Sequence, residues 1–277
     1  MAHSPGPRMF LIGSEASAAM SPALWSPVLE RLGSTWTYEP WDVPAGSVMD
    51  EVHARLLEAD VIAANVTMPH KTWAAAAADA VTETVRLSGA SNFLVRDGGR
   101  LEAHNTDITA VGQLLGGGHR RHVVMLGAGG AARAALIALR GRTGRVTVAD
   151  RDPQAAGRLL RVAENLGMDA RASAWADAQA EARQASLIVN ATPIGKSGQD
   201  GPVWGETRLA DDAFVYDFVY APHTTASIAR ARQQGLQCAD GWDHLREQAA
   251  AMIPILGLAP EAGPLLESRL AQLHARS

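Results

Sequence analysis

The chain has 277 residues, 47 % hydrophobic and 19 % charged, a composition suited to one large or two ordinary globular domains. Its formal charge of −4 lacks the concentrated basic surface that a nucleic-acid partner requires. A single cysteine, Cys238, excludes an intrachain disulfide and a cysteine metal cluster. No apolar run reaches the roughly 18–20 residues that span a bilayer. Residues Met1–Arg8 lack the basic-then-apolar order of a secretory signal. The expectation is a cytoplasmic enzyme, monomer or homodimer, with neither a nucleic-acid nor a membrane partner.

In chain order, Met9–Gly13 is a short apolar run fit for a first strand. Ser21-Pro22 then predicts a helix to about Leu32, with Ser21 as N-cap and Pro22 as the first helical residue. Thr35–Trp41 alternates as a strand, Val48–Leu57 as a helix, and Val61–Val66 as a third strand. Trp73 and the run Ala74–Ala78 favour a helix. Short strands at Ser91–Val95 and Arg100–Ala103 flank the Asp97-Gly-Gly99 turn.

After the Gly116–Gly118 connection the alternation is clearer. Arg121–Leu126 is an apolar strand with a basic edge, Ala131–Leu139 a helix, and Arg145–Ala149 a strand. Pro153 starts a helix running towards Leu166. Ser186–Asn190 and Ala213–Phe218 are later buried strands, followed by a helix at Ser227–Gln234. Such strand–helix alternation predicts an α/β fold with a parallel sheet. Trp242–Leu273 reads as helical, interrupted near Pro254 and Pro260.

Between the strand ending at Leu126 and the following helix stands Gly127-Ala-Gly-Gly-Ala-Ala132. Gly127 allows a tight turn, Gly129 leaves room for a phosphate, and Ala132 permits close helix–strand packing. Helix-start amides around Ala128, Gly130 and Ala131 favour an anionic pyrophosphate. Asp150 ends the next strand, 23 residues after Gly127, where a carboxylate binds ribose hydroxyls. That placement favours NAD over NADP, while Arg151 and Arg158 pull the other way.

Two polar junctions stand out. In Asn65-Val-Thr-Met-Pro-His-Lys71, a lysine follows a buried strand and suits proton exchange or donation to oxygen, although composition alone favours an ordinary solvated helix-start lysine. In His104-Asn-Thr-Asp107, the aspartate reads, from the residues alone, first as a helix N-cap. His70 and His104 lack companions at metal-ligand spacing, so no metal site is expected.

These segments, taken in order with Gly89-Ala-Ser-Asn92, Asn190-Ala-Thr-Pro-Ile-Gly195, Asp217-Phe-Val-Tyr220, Pro222 and Gln248, resemble the shikimate and quinate dehydrogenase family over most of the chain. The resemblance implies a substrate-binding α/β domain over residues 1–107 and a Rossmann dinucleotide domain over residues 108–240. Residues 241–277 then form helices that return to the first domain, and the active cleft lies between the domains. Lys71 and Asp107 match the catalytic pair. Ser21, Asn65, Thr67, Asn92, Tyr220 and Gln248 match substrate-binding positions. Asp150, Arg151, Asn190, Thr192, Pro193 and Gly241 join the glycine loop as cofactor positions. The implied activity is reversible hydride transfer between NAD(P) and a ring hydroxyl of a shikimate- or quinate-like cyclitol carboxylate.

Departures from the family pattern bear on the substrate. Ala19-Met20-Ser21-Pro22 stands where Ser-x-Ser-Pro is usual, so one hydroxyl for the ring carboxylate is missing. Trp25 and Ser26 replace a common His-Asn pair and add an aromatic surface, and Phe93 replaces a common threonine. An amino-shikimate-type dehydrogenase is the alternative substrate reading. A non-catalytic, dinucleotide-responsive regulator of the same fold is the alternative from another class.

Overall fold

A computed structural model describes residues 6–221 and 223–275, so Pro222 and the first five residues lie outside the described residues. The chain divides into two compact α/β units. One holds the described residues through Thr106 together with Gln248–Ala275, and the other holds Asp107–Glu247.

The first unit contains β1 (Arg8–Gly13), α1 (Ser21–Arg31), β2 (Thr37–Asp42), α2 (Met49–Leu56), β3 (Val61–Val66) and α3 (Lys71–Ala77). It continues with β4 (Ala80–Val81), α4 (Glu83–Ser88), β5 (Phe93–Asp97) and β6 (Arg100–His104). The sheet order is β2-β1-β3-β5-β6-β4. β1 runs parallel to β2 and β3, whereas β5 pairs antiparallel with both β3 and β6.

Strand register assigns the faces. Met9 pairs with Tyr38, Leu11 with Asn65, and Asn65 with Phe93, so Tyr38, Asn65 and Phe93 share one face. The alternate residues Phe10, Ile12, Ala64, Val66, Leu94 and Ala103 form a separate apolar core with Val52, Leu56 and Ala74. Ser21 opens α1 as its first residue, and Met20 is the cap position, so the N-cap expected of Ser21 is corrected by one residue. Trp25 is 1 % exposed. It is a core side chain whose removal would cost about 3–5 kcal/mol, not the open aromatic surface expected from its sequence position.

The second unit begins with α5 (Thr106–Leu115), β7 (Arg120–Leu126), α6 (Gly130–Ala138), β8 (Thr143–Ala149) and α7 (Pro153–Asn165). Then come β9 (Asp169–Ala172), α8 (Trp175–Glu181), β10 (Leu187–Asn190), β11 (Phe214–Asp217), α9 (Ala226–Gln233) and β12 (Gln237–Ala239). All six strands are parallel, in the order β12-β11-β10-β7-β8-β9. Alternate residues feed two cores. Val123, Met125, Val146, Val148 and Val189 pack with Val111, Leu136 and Leu159, whereas Val124, Leu126, Ile188 and Val215 pack with Ala178, Trp204 and Ile228. A sheet covered on both faces explains why its central strands read as continuous apolar runs.

α10 (Gly241–Ile255) leads from the second unit into the first, and α11 (Ala262–His274) completes the first. α10 ends one residue past Pro254 and α11 begins two residues past Pro260, so the helical region is interrupted where those prolines stand. Within the first unit, Pro27 of α1 has no N–H to give the Ala23 carbonyl, and Arg269 of α11 donates to that oxygen at 2.9 Å.

Candidate active site

The second unit reverses strand order between β7 and β10, the switch point at which parallel sheets bind ligands beyond their strand carboxyl ends. Both loops leaving that point approach each other. Gly127 has φ of +101°, and a Cβ there would stand 2.6 Å from the Ala191 carbonyl oxygen, so glycine is required on two counts. Gly129 and Gly130 are exposed and have nothing within 4 Å of a Cβ position. No side chain caps the N-terminus of α6. Open space beside helix-start amides is the shape a pyrophosphate needs, so this loop fits a dinucleotide.

Asn190 at the end of β10 is fully buried. Its Nδ2 donates to the Ile194 carbonyl at 3.0 Å and to Asp217 Oδ1 at 2.9 Å, while its Oδ1 accepts the Thr192 amide and hydroxyl. It therefore shapes the turn carrying the half-buried Thr192 and the exposed Pro193. Asp217 also accepts from the Val219 amide at 2.9 Å and the Thr225 hydroxyl at 2.7 Å. Burial pushes its carboxyl up to about 6 despite these bonds. Gly241 lies against Tyr220, where a Cβ would be 2.6 Å from that residue's amide nitrogen and Cβ. Tyr220 rests edge-on against Trp242 at 4.9 Å, and burial raises its phenol to about 12.

In the first unit, hydrogen bonds gather the polar segments around the end of β3. The Ser91 amide donates to the Lys71 carbonyl at 2.8 Å, which fixes the start of α3 beside Asn92. The Asn92 side chain bridges to Thr106, donating to its hydroxyl at 2.9 Å and accepting its amide at 2.7 Å. Asn105 Nδ2 donates to the Ala90 carbonyl at 2.9 Å. Asn92 therefore ties the start of β5 to the start of α5. Thr67 donates its amide to the Ile12 carbonyl at 2.8 Å. His70 is buried against the Val43 carbonyl at 2.7 Å and serves as a tie between segments.

Asn65 Oδ1 accepts the Tyr38 hydroxyl at 2.8 Å, and the same phenol hydrogen-bonds Ser21. Tyr38 thereby joins two expected substrate positions and is a candidate site residue absent from the sequence reading. Its inward place on β2 was the available signal. Asn65 Nδ2 lies 3.5 Å from Met252 Sδ. Gln248 precedes Met252 by one helical turn on the same face of α10. Ser21, Tyr38, Asn65 and this face of α10 therefore converge. Phe93, fully buried beside Asn65 in register, tilts against His104 at 6.2 Å.

Asp107 stands in the first turn of α5, one residue past its start, so it is not the cap. The His244 imidazole reaches it, Nε2 to Oδ1, at 3.4 Å.

A profile of the shikimate dehydrogenase substrate binding domain matches residues 11–94. Over 275 residues the chain is 35 % identical to shikimate dehydrogenase (NADP(+)) of Methylobacterium radiotolerans, spanning 95 % of this chain and 96 % of that one. Shikimate 5-dehydrogenase from Thermus thermophilus, crystallised with NADP(H) and shikimate, shares 31 % identity and superposes with a TM-score of 0.78 over 95 % of this chain and 98 % of that one. Quinate dehydrogenase from Corynebacterium glutamicum in complex with NAD shares 27 % identity, with a TM-score of 0.86 over 96 % and 99 %. Fold and glycine loop together define a dinucleotide-dependent oxidoreductase built from two α/β units. The chain belongs to the shikimate and quinate dehydrogenase family and is an NAD(P)-dependent enzyme of that type.

The expected preference for NAD is overturned. Curated relatives at 33–36 % identity are named NADP(+) enzymes. The structure supplies a physical reason why Asp150 misled. Its Oδ2 accepts the Ala128 amide at 2.7 Å and its Oδ1 the Asp152 amide at 2.8 Å. One oxygen holds the glycine loop and the other the turn into α7, and the exposed Arg151 follows immediately.

Proposed function

We propose that the enzyme oxidises, reversibly, one ring hydroxyl of a shikimate- or quinate-like cyclitol carboxylate with NADP as hydride partner. The observation that supports this reading is that Lys71 and Asp107 stand in the first turns of α3 and α5, with the Ser91 amide on the Lys71 carbonyl and the Asn92 side chain bridged to Thr106, the residue before Asp107. When bound, the nicotinamide supplies the hydride acceptor or donor. Lys71 Nζ and the Asp107 carboxylate hold the reacting hydroxyl, and its proton passes to this pair as the carbonyl forms. In reduction, Lys71 donates to the oxygen on which negative charge grows. Ser21, Asn65, Thr67, Asn92 and Gln248 grip the ring hydroxyls and carboxylate, with Tyr220 alongside, so that distance and orientation are set before reaction.

Gly127, Ala128, Gly129, Gly130 and Ala131 cradle the pyrophosphate, and Thr192, Pro193 and Gly241 shape the path of the rest. Arg151, with Arg158 further along on α7, receives the 2′-phosphate. Cytoplasmic action belongs to the same proposal, because free dinucleotide lies there; no described helix is long and apolar enough to cross a membrane.

A matrix of NADP+ against shikimate, quinate and their amino analogues, read by reduced-cofactor absorbance, tests the reading. Turnover of at least one ring acid is expected. Absence of turnover across the whole panel, with NADP+ still bound, would overturn it.

A further inference from the structure

We propose that His244 is a positioning residue for the reaction, holding Asp107 as a carboxylate in one orientation through a three-member chain that ends on Tyr216. The inference rests on the reading of Asp107 as a proton-handling acid. Its geometry lies wholly within the second unit. The Tyr216 hydroxyl is 2.8 Å from His244 Nδ1, and His244 Nε2 is 3.4 Å from Asp107 Oδ1.

Chemistry fixes the direction of both bonds. An ionised carboxylate can only accept, so Nε2 carries the proton that faces Asp107. In the neutral ring Nδ1 is then an acceptor, and the Tyr216 hydroxyl donates to it. Burial raises the Tyr216 phenol well above its ordinary range, which keeps that hydroxyl protonated. Tyr216 is fully buried on β11, so the tautomer is set by a rigid strand. The ring plane is held as well: Phe218 meets the imidazole edge-on at 4.9 Å.

The surrounding charges do not replace His244. On its own helix Asp243 and Glu247 are acidic, and both are engaged by Arg246 at 3.2 and 3.1 Å. From β11, the titratable group that meets the imidazole among the described residues is Tyr216. A 3.4 Å bond is long for a neutral donor on a carboxylate, and such bonds tighten when substrate binds.

The test measures kcat/KM against pH with shikimate and NADP+, and NADP+ affinity by fluorescence, for wild type, His244→Ala, His244→Gln, Tyr216→Phe and Asp107→Asn. Losing the Nε2 donor disfavours the charged carboxylate. His244→Ala is therefore expected to lower kcat/KM about tenfold and move the acid limb up by roughly half a pH unit, with NADP+ affinity unchanged. His244→Gln, whose amide N–H can take the place of Nε2–H, should restore most of both. Tyr216→Phe should move the limb in the same direction by less. An unmoved limb in His244→Ala, or no rescue by glutamine, overturns the proposal. Should the alanine variant fail to fold, the glutamine and phenylalanine variants decide by the same limb. Full activity in Asp107→Asn would overturn the reading of Asp107 itself, whereas an inactive Asp107→Asn beside a normal His244→Ala overturns only the role given to His244.

Discussion

The Asp150 carboxylate accepts the Ala128 amide at 2.7 Å, so the acid that ends β8 holds the loop that leaves β7. A carboxylate bound to backbone in this way shapes the glycine loop, and the proposed reading gives discrimination of the 2′-phosphate to Arg151 beside it. Arg151→Ala should therefore lower kcat/KM for NADP+ at least tenfold, since a charge-assisted bond contributes about 1.5–3 kcal/mol. The value for NAD+ should change little. Steady-state kinetics with both dinucleotides checks the contrast.

Gly127→Ala places a Cβ 2.6 Å from a carbonyl oxygen in a backbone region closed to L side chains. The expected loss of stability is about 2–4 kcal/mol, with dinucleotide affinity reduced more than tenfold. Gly118, whose Cβ position is open and whose φ is not positive, is the control: Gly118→Ala should be near neutral. Urea denaturation and fluorescence titration measure the two effects.

These two glycines also illustrate how much the sequence disclosed. The apolar run before Gly127 and the helix after it were legible because a doubly covered sheet leaves each central strand almost wholly hydrophobic. β3, at Val61–Val66, was read to the residue because it is a short apolar run broken only at Asn65. β9 went unread because Asp169–Ala172 is a four-residue edge strand whose alternating apolar positions are only alanines and bury nothing fully. α8 went unread because Trp175–Glu181 buries a single alanine, leaving no stripe to detect. Tyr38 and His244 are absent from the candidates read in the sequence because each meets a candidate position only through another side chain, Asn65 or Asp107. Their partners lie 27 and 137 positions away in the sequence. Asp150 was legible as the acid after the second strand, but its bonds to two backbone amides were not.

Asp217 gives the stability a pH signature. Its carboxyl rises from an ordinary 3.8 to about 6 in the folded chain because it is buried. A raised folded value means that the contribution to stability is fully present below about 3.8 and is lost as pH climbs through 6. The span corresponds to about 3 kcal/mol at most. Asp217→Asn cannot titrate, so its stability relative to wild type should improve as pH rises through that window. Denaturation midpoints of both proteins across it supply the measurement, and parallel curves would contradict the assignment.

Ala19 has extended backbone, φ −83° and ψ 158°, two residues before Ser21. A hydroxyl there would add a donor for a ring carboxylate at a net gain of about 0.5–1.5 kcal/mol. Ala19→Ser is expected to lower KM for shikimate roughly threefold to tenfold while leaving KM for NADP+ in place. An unchanged KM for shikimate would show that the ring carboxylate binds elsewhere.

The central claim is that Lys71 handles the proton while the glycine loop, in the other unit, holds the cofactor. The most direct measurement is shikimate-dependent NADPH formation by wild type and Lys71→Ala, with NADP+ affinity determined on the same preparations. The account predicts turnover in the wild type, a loss of about 10²–10⁴-fold in the variant, and equal NADP+ affinity. Near-normal turnover in Lys71→Ala, with NADP+ bound as in the wild type, would contradict it.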